Sequence, residues 1–317
     1  MYKILKNTKI FIKRFKPLFL VIKPLYNIVR IILDKRYLYH HLQGLITNVK
    51  IRSNLAKIEA NLFKSEKRFS DKTDIIRENS YIENPLDISN EKAVEIKNSL
   101  KNLHCPDQTN SSLEFDINSR PSDCHLAFYN SSDLFKSEPI LGLAVNEVLI
   151  DIYNDLYGCD PIIDHIVAWW TFPSDQNHET QYWHRDIDTL NLLKFLIYLT
   201  DVDLNSGPHY LIPGSHDMQI RTSKDKKHED QEFEAIIKEY CPKVFTGPAG
   251  TNFLENTFAF HKGTNPKDKP RLLLEIIYSR VPTPFSNKKP FISLDESEHS
   301  SLIRENINLF KGKVTFT

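Results

Sequence analysis

The sequence has few of the residues that are typical of secreted, fibrous or metal-finger proteins. It has 4 cysteines in 317 residues, with no CxxC pair and no spacing that matches a zinc template. Such sparse cysteines predict reduced thiols in a cytoplasmic protein. The chain has only 9 glycines and no low-complexity tract, and 40% of its residues are hydrophobic. This composition excludes a collagen-like fibre, a disordered chain and a polytopic membrane protein.

The sequence also lacks a net charge, because 41 Lys and Arg residues balance 41 Asp and Glu residues. A zero balance argues against general nucleic-acid binding. The average conceals an asymmetry, since residues 1–50 carry a net charge of +10 and the remainder carries −10. We therefore predict that residues 1–50, a basic amphipathic and helical segment, meet different surroundings from the rest of the chain.

No long uninterrupted hydrophobic run is present in the apolar segment 9–33. A bilayer-spanning helix needs about twenty nearly continuous apolar residues, so this segment is not predicted to cross a membrane. Its basic residues recur at helical spacing and form one stripe: Lys9, Lys13, Lys16, Lys23 and Arg30. Two interpretations stay open. The segment either makes peripheral contact with an anionic membrane surface, or packs on its own domain or a partner chain.

The rest of the chain changes character along its length. Residues 51–89 are predicted to be a helix followed by a polar connector, and residues 283–317 a C-terminal extension. Helical periodicity covers 90–103 and 138–157. After residue 160, short runs of β-forming residues alternate with Gly/Pro turns, which favours a sandwich or barrel such as a jelly roll. Residues 221–240 interrupt these strands as a charged insert.

The motif His184-Arg185-Asp186 is the strongest chemical signal. Residues two apart on an extended segment point the same way, so one imidazole and one carboxylate converge. A second histidine from a distant strand would complete a 2-His-1-carboxylate triad for non-haem Fe(II). A second H-x-D motif, His228-Glu229-Asp230, lies in the charged insert, and we interpret it as a solvated loop.

The residues alone leave the third ligand open among His209, His216 and His261. His261 ends an apolar strand, whereas His209 and His216 lie in a strand and turn. Arg271 opens a second apolar strand ten residues after His261. A buried arginine needs an anionic partner, and its planar fork matches a carboxylate, although a structural salt bridge is the alternative.

This order of motifs resembles the phytanoyl-CoA dioxygenase family of Fe(II)/2-oxoglutarate oxygenases, over about residues 90–282. Ectoine hydroxylase and related hydroxylases are similar. The resemblance implies a mainly β fold with flanking helices, built on a double-stranded β-helix (jelly-roll, cupin-like) core. It also implies Fe(II) at His184, Asp186 and His261, with the distal carboxylate of 2-oxoglutarate at Arg271. The presence of Asp186 favours hydroxylation over halogenation.

The implied reaction uses O2 and 2-oxoglutarate, hydroxylates an unactivated C–H bond and releases succinate and CO2. The substrate would be a small molecule or a carrier-linked group. Tyr198 and Thr264 carry hydroxyls suitable for 2-oxoglutarate, and Trp170, Gln181 and Arg185 are candidates for the substrate pocket. Two alternatives stay open: a metal-binding jelly roll without 2-oxoglutarate turnover, and a membrane-associated binding module.

Overall fold

A computed structural model describes residues 51, 54–55, 71–107, 113–175, 179–187, 189–218, 220, 228–283, 292–294 and 301–316. Segment 9–33 lies outside these residues, so its helix and its membrane contact stay predictions. Among the helices that the structure describes, none is long and apolar enough to cross a membrane.

Helices flank the strands in the described part of the chain. They are α1 (Asp71–Asn79), α2 (Asn90–Ser99), α3 (Ser131–Leu134), α4 (Glu138–Ala144), α5 (Glu147–Tyr157), α6 (Asp230–Tyr240) and α7 (Ser301–Glu305). Short 3₁₀ turns lie at Ile117–Ser119, Glu179–Gln181 and Ser215–Asp217.

The strands form one large sheet, one smaller sheet and two short ribbons. They are β1 (Tyr81–Glu83), β2 (Cys105–Pro106), β3 (Glu114–Phe115), β4 (Leu126–Phe128), β5 (Ile162–Thr171), β6 (Leu192–Tyr198), β7 (His209–Leu211), β8 (Lys243–Phe245), β9 (Asn252–Glu255), β10 (His261–Lys262), β11 (Arg271–Ser279), β12 (Ile292–Leu294) and β13 (Val314–Phe316). The large sheet has the order β1-β9-β6-β11-β5-β4, and the smaller has the order β10-β7-β8. All their pairs are antiparallel. The β-runs that the sequence predicts after residue 160 lie at 162–172, 193–200, 210–212, 244–245, 251–254 and 272–281, and they match β5, β6, β7, β8, β9 and β11 to within two residues at each end.

The central strands place alternate residues on opposite faces of the large sheet. Along β11, Leu272, Leu274 and Ile276 pack into the main core with residues of α4 and α5. Arg271 and Glu275 alternate with them and face a cavity on the other side. This two-residue period gives the sheet one apolar face against the helices and one face that carries polar groups.

The helical periodicity over 138–157 is divided in the structure. α4 ends at Ala144 and α5 begins at Glu147. Asn146 lies between them, and its side-chain oxygen accepts a hydrogen bond from the Val148 N–H at 3.0 Å. An Asn cap at this position starts a new helix rather than extending the preceding one. α5 ends as its sequence predicts, at Gly158 with φ 71°.

Two flanking segments join the core more closely than the sequence predicted. Within the predicted connector, β1 is an edge strand of the large sheet, and Ile76 and Ile82 are buried in the main core. Within the predicted extension, Phe310 is fully buried, and the Ile163 N–H donates to the Leu309 carbonyl at 2.7 Å. Isolated apolar residues in polar stretches carry no periodic signal, so only tertiary packing identifies them. The domain boundaries themselves stay predictions.

Candidate active site

His184 and His261 lie side by side on two short paired segments. His184 follows the 3₁₀ turn that ends at Gln181, and His261 opens β10. The two residues exchange both backbone hydrogen bonds, at 3.1 Å each. The Asp186 N–H donates to the Thr257 carbonyl at 2.9 Å. Three backbone hydrogen bonds therefore fix the spacing of the three side chains.

The three side chains converge on one point. One ligand atom from each of His184, Asp186 and His261 lies within 4.8 Å of the other two. The Nε2 atom of His184 is 3.9 Å from Asp186 Oδ1, and that of His261 is 3.6 Å from Asp186 Oδ2. Two imidazole nitrogens and one carboxylate on one face form the donor set of a non-haem Fe(II) centre.

Each ring is held by its other nitrogen. His184 Nδ1 lies 2.8 Å from the Tyr182 carbonyl, and His261 Nδ1 lies 3.0 Å from the Ala259 carbonyl. A carbonyl can only accept, so both Nδ1 atoms carry the proton and both Nε2 atoms present a lone pair. Backbone anchoring of this kind fixes the tautomer of metal-binding histidines. The residues present therefore fit a divalent cation at this point.

Asp186 stays ionised although most of its side chain is shielded from solvent. Burial alone would raise its pKa, but the Lys194 ammonium and the two histidines hold the pKa of this carboxyl well below its usual range. Lys194 Nζ lies 3.0 Å from Asp186 Oδ2 and 3.3 Å from Glu275 Oε1. Lys194 is thus shared between two carboxylates.

A cavity of about 190 Å³ adjoins the three side chains. Its walls come from β4, β5, β6, β9 and β11 of the large sheet and from the segments carrying the histidines. Phe128 and Trp169 stack at 5.7 Å on one wall, and Gln181 lies nearby. The cavity has room for small ligands beside the histidine pair.

Arg271 lies at the cavity as a buried cation that has no acidic partner among the residues the structure describes. Its Nη1 donates to the Gly207 carbonyl, and its Nη2 donates to Thr171 Oγ1 at 3.2 Å. Its Nε makes no hydrogen bond to the described residues. Burial lowers the pKa of Arg271, and no described carboxylate counters this effect. A buried guanidinium in this state provides a site for an anion.

The comparison with protein families decides the classification. The profile described as Phytanoyl-CoA dioxygenase (PhyH) matches residues 89–265, which is more than half of the chain. The chain belongs to the phytanoyl-CoA dioxygenase family. This membership confirms the resemblance found in the sequence and the prediction of an Fe(II)/2-oxoglutarate-dependent oxygenase.

Solved structures give the fold of this family member. EctD from S. alaskensis, solved with 2-oxoglutarate and 5-hydroxyectoine, is 16% identical, with 80% of this chain and 91% of that chain covered and a TM-score of 0.52. EctD with bound Fe is 17% identical, with 71% and 85% covered and the same TM-score of 0.52. The likeness confirms the predicted jelly-roll core. No curated protein sequence matches the chain.

Two hydroxyls predicted to bind the cosubstrate of this phytanoyl-CoA dioxygenase family member are used elsewhere. Tyr198 donates to the Phe245 carbonyl at 3.0 Å and accepts from the His209 N–H at 3.0 Å. Thr264 donates to the Pro208 carbonyl at 2.7 Å. Neither residue lines the cavity. These bonds satisfy the Phe245 and Pro208 carbonyls and the His209 N–H, which are buried backbone groups that must find partners.

Of the three residues predicted to contact the substrate, one lines the cavity and two point away from it. Gln181 lines the cavity. Trp170 alternates with Trp169 on β5, so its side chain packs with the main core and its indole donates to Tyr129 Oη at 3.1 Å. Arg185 alternates with the two predicted ligands in the same way. Its guanidinium donates to the Ser215, Met218 and Ile220 carbonyls and lies 4.0 Å from the Phe260 ring.

The other histidine candidates have separate roles. His216 Nδ1 lies 2.5 Å from Ser80 Oγ, and His216 is not part of the cavity wall. His228 is 5% exposed and packs against Phe233 and Phe260, so the interpretation of the second H-x-D motif as a solvated loop is wrong at this residue. Because the residues around His228 in the sequence are charged, the sequence does not reveal that the His228 side chain is buried.

His209 and Glu255 form a buried pair that the sequence did not predict. His209 Nε2 lies 3.0 Å from Glu255 Oε2, and both residues line the cavity. Burial raises the pKa of Glu255 to about 7, although His261 and Lys194 oppose this effect. Burial, together with Arg271 and Lys194, lowers the pKa of His209 to about 3. The contact is therefore a hydrogen bond with a neutral imidazole rather than an ion pair. The sequence signal for this pair was Glu255, a charged residue at the end of a short apolar run.

Proposed function

We propose that this chain is an Fe(II)- and 2-oxoglutarate-dependent hydroxylase that acts on an unactivated C–H bond of a small-molecule or carrier-linked substrate. One observation carries the proposal. Two anchored imidazoles and an ionised carboxylate converge beside a buried guanidinium that lacks an acidic partner among the described residues. The three metal-binding side chains and the guanidinium line the same cavity. A dicarboxylate that chelates the metal at one end needs such a second site for its other end.

His184, Asp186 and His261 would hold the iron. Bound there with 2-oxoglutarate, the metal supplies the oxidising chemistry that uses O2 and releases succinate and CO2. The protein supplies three ligands on one side and keeps their donor atoms fixed through backbone groups. The cavity beside these three side chains would leave room for small ligands of the metal.

Arg271 would bind the distal carboxylate of 2-oxoglutarate. Lys194 is the competing cation at this cavity, but Asp186 and Glu275 already neutralise it. Within the described part of the chain, the hydrogen bonds of Arg271 go to neutral groups, the Gly207 carbonyl and the Thr171 hydroxyl. A carboxylate therefore gains more binding free energy from Arg271 than from Lys194. The Arg271 guanidinium also offers a planar fork for two parallel hydrogen bonds.

The substrate would lie against the aromatic wall of the cavity. Phe128 and Trp169 form this wall, and Gln181 offers amide hydrogen-bonding groups beside it. EctD, whose structure contains 5-hydroxyectoine, is a relative in fold that binds a small molecule. The wall favours a substrate with an apolar part next to the reacting carbon.

Succinate release tests this function directly. The purified chain, loaded with Fe(II) without oxygen and then given O2 and 2-oxoglutarate, should form succinate faster when the correct member of a panel of lipids, amino acids or sugars is present. Asp186→Ala should abolish succinate formation while circular dichroism stays unchanged. A chain that binds Fe(II) but consumes no 2-oxoglutarate with any substrate would contradict the proposal and favour a metal-binding jelly roll.

A further inference from the structure

The charged insert reaches the back of the proposed metal site through one side chain. Asp230 is the first residue of α6. Its Oδ1 accepts a hydrogen bond from the Trp183 indole Nε1 at 2.8 Å and contacts Lys262 Nζ at 2.5 Å. One carboxylate oxygen thus joins two segments that are distant in the sequence.

These two segments are the ones that carry the histidines. Trp183 immediately precedes His184, and Lys262 immediately follows His261. Because successive side chains on extended segments point to opposite faces, Asp230 contacts the face opposite the ligand atoms. The Trp183 and His228 backbones exchange two hydrogen bonds at 3.0 Å, so the insert also pairs directly with this segment.

Packing holds the two partners of Asp230 in place, whereas the Asp230 side chain itself is 61% exposed. Trp183 is 1% exposed and stacks on Phe233 of α6 at 6.1 Å and 8°. Lys262 Nζ lies 5.0 Å from the Trp183 ring and 5.7 Å from the Tyr210 ring, and its side chain is 10% exposed. Lys262 is therefore a largely buried cation for which Asp230 provides the charge partner.

We propose that Asp230 is a positioning residue for the metal centre. It ties the segment of His184 to the segment of His261 and neutralises the cation that follows His261. The inference rests on the proposed function. Losing Asp230 would loosen the spacing of the two imidazoles and leave an unpaired positive charge behind the site. Both effects weaken the binding of a divalent cation.

Mn(II) titration of the metal-free full chain, followed by the electron paramagnetic resonance of free Mn(II), measures this role without enzyme turnover. Asp230→Ala should raise the Mn(II) dissociation constant about three- to tenfold. Asp230→Asn keeps an acceptor for Trp183 and loses the charge, so it should have a smaller effect. Glu234→Ala, an exposed acid of the same helix, is the matched control and should stay within twofold of wild type.

The ion pair is tested in a second background. With Lys262→Met, Asp230→Asn should change the dissociation constant less than it does in the wild-type chain, because the charge partner is absent. The thermal midpoint of each metal-free variant separates folding from binding. Wild-type Mn(II) affinity in a folded Asp230→Ala variant would overturn the inference alone. A wild-type chain that binds neither Mn(II) nor Fe(II) would overturn the proposed function, and this inference with it.

Discussion

Single side chains in and beside the cavity differ in how much of their hydrogen-bonding and charge-pairing capacity is already used. Lys194 is shared between Asp186 and Glu275, and the Tyr198 hydroxyl both donates and accepts. Arg271 has a buried charge that no described carboxylate neutralises. A ligand gains most from a group that is buried and not yet neutralised, so this difference separates binding residues from structural ones.

Replacing Arg271 with lysine should weaken 2-oxoglutarate binding. Lysine keeps the charge but loses the planar fork and cannot reproduce the contacts to Gly207 and Thr171 together. We expect the apparent KM for 2-oxoglutarate to rise about tenfold or more, because a charge-assisted hydrogen bond contributes roughly 1.5–3 kcal/mol. Mn(II) affinity should be unchanged, which serves as the control. An unchanged KM would place the cosubstrate elsewhere in the cavity.

Glu255 should make stability fall as the pH rises. Its pKa of about 7 in the folded chain lies above the ordinary glutamate value of 4.5, so between these values the folded chain holds a proton that the unfolded chain has released. Stability from this group is complete below about pH 4.5 and is lost as the pH rises through 7. Between pH 5 and 8, the metal-free wild type should lose about 2–3 kcal/mol relative to Glu255→Gln in urea unfolding. Parallel pH profiles of the two chains would contradict the assignment.

Some helices and strands could be predicted from local sequence patterns alone, and others could not. The strands after residue 160 were predicted well because their apolar residues alternate or run together between turn residues. The 138–157 stretch was less clear, since its periodicity continues across the junction between α4 and α5. The cap at Asn146 decides the break, and its signal is one residue long.

Asn146→Ala should destabilise the fold by about 1 kcal/mol, because the Val148 N–H loses its side-chain acceptor. Asn146→Ser keeps a capping oxygen and should cost less than half of that. Urea unfolding at constant metal concentration measures both. Equal stability of the alanine and serine variants would show that the cap does not determine where α5 begins.

The whole molecule is larger than its motif-bearing part. The family profile ends at residue 265, yet β11 and the segment from Ser301 to Val314 complete the sheet and the core. Phe310 packs edge-on against Phe135 at 6.1 Å, and Ile303 and Leu309 are buried beside the same core. The C-terminal segment therefore supports the sheet that carries Arg271.

Phe310→Ala should destabilise the protein by about 3–5 kcal/mol, since a fully buried ring leaves a cavity in the main core. Lys311→Ala, which changes the exposed neighbouring residue, should alter stability by less than about 0.5 kcal/mol. Urea unfolding of the two variants provides the comparison. A small effect of Phe310→Ala would mean that the C-terminal segment adds little to the folded state.

The sequence by itself determined the H-x-D motif, three candidates for the third ligand and the resemblance to the family, and this resemblance implied the jelly-roll core and the set His184, Asp186, His261 and Arg271. The resemblance rests on the order and spacing of motifs, which can be recognised without coordinates. Only the tertiary structure decided which hydroxyls are already bonded, that Glu255 faces His209, and that Asp230 reaches Trp183 and Lys262. These contacts join residues far apart in the chain, and whether a polar side chain is free or satisfied depends on neighbours that only folding brings together.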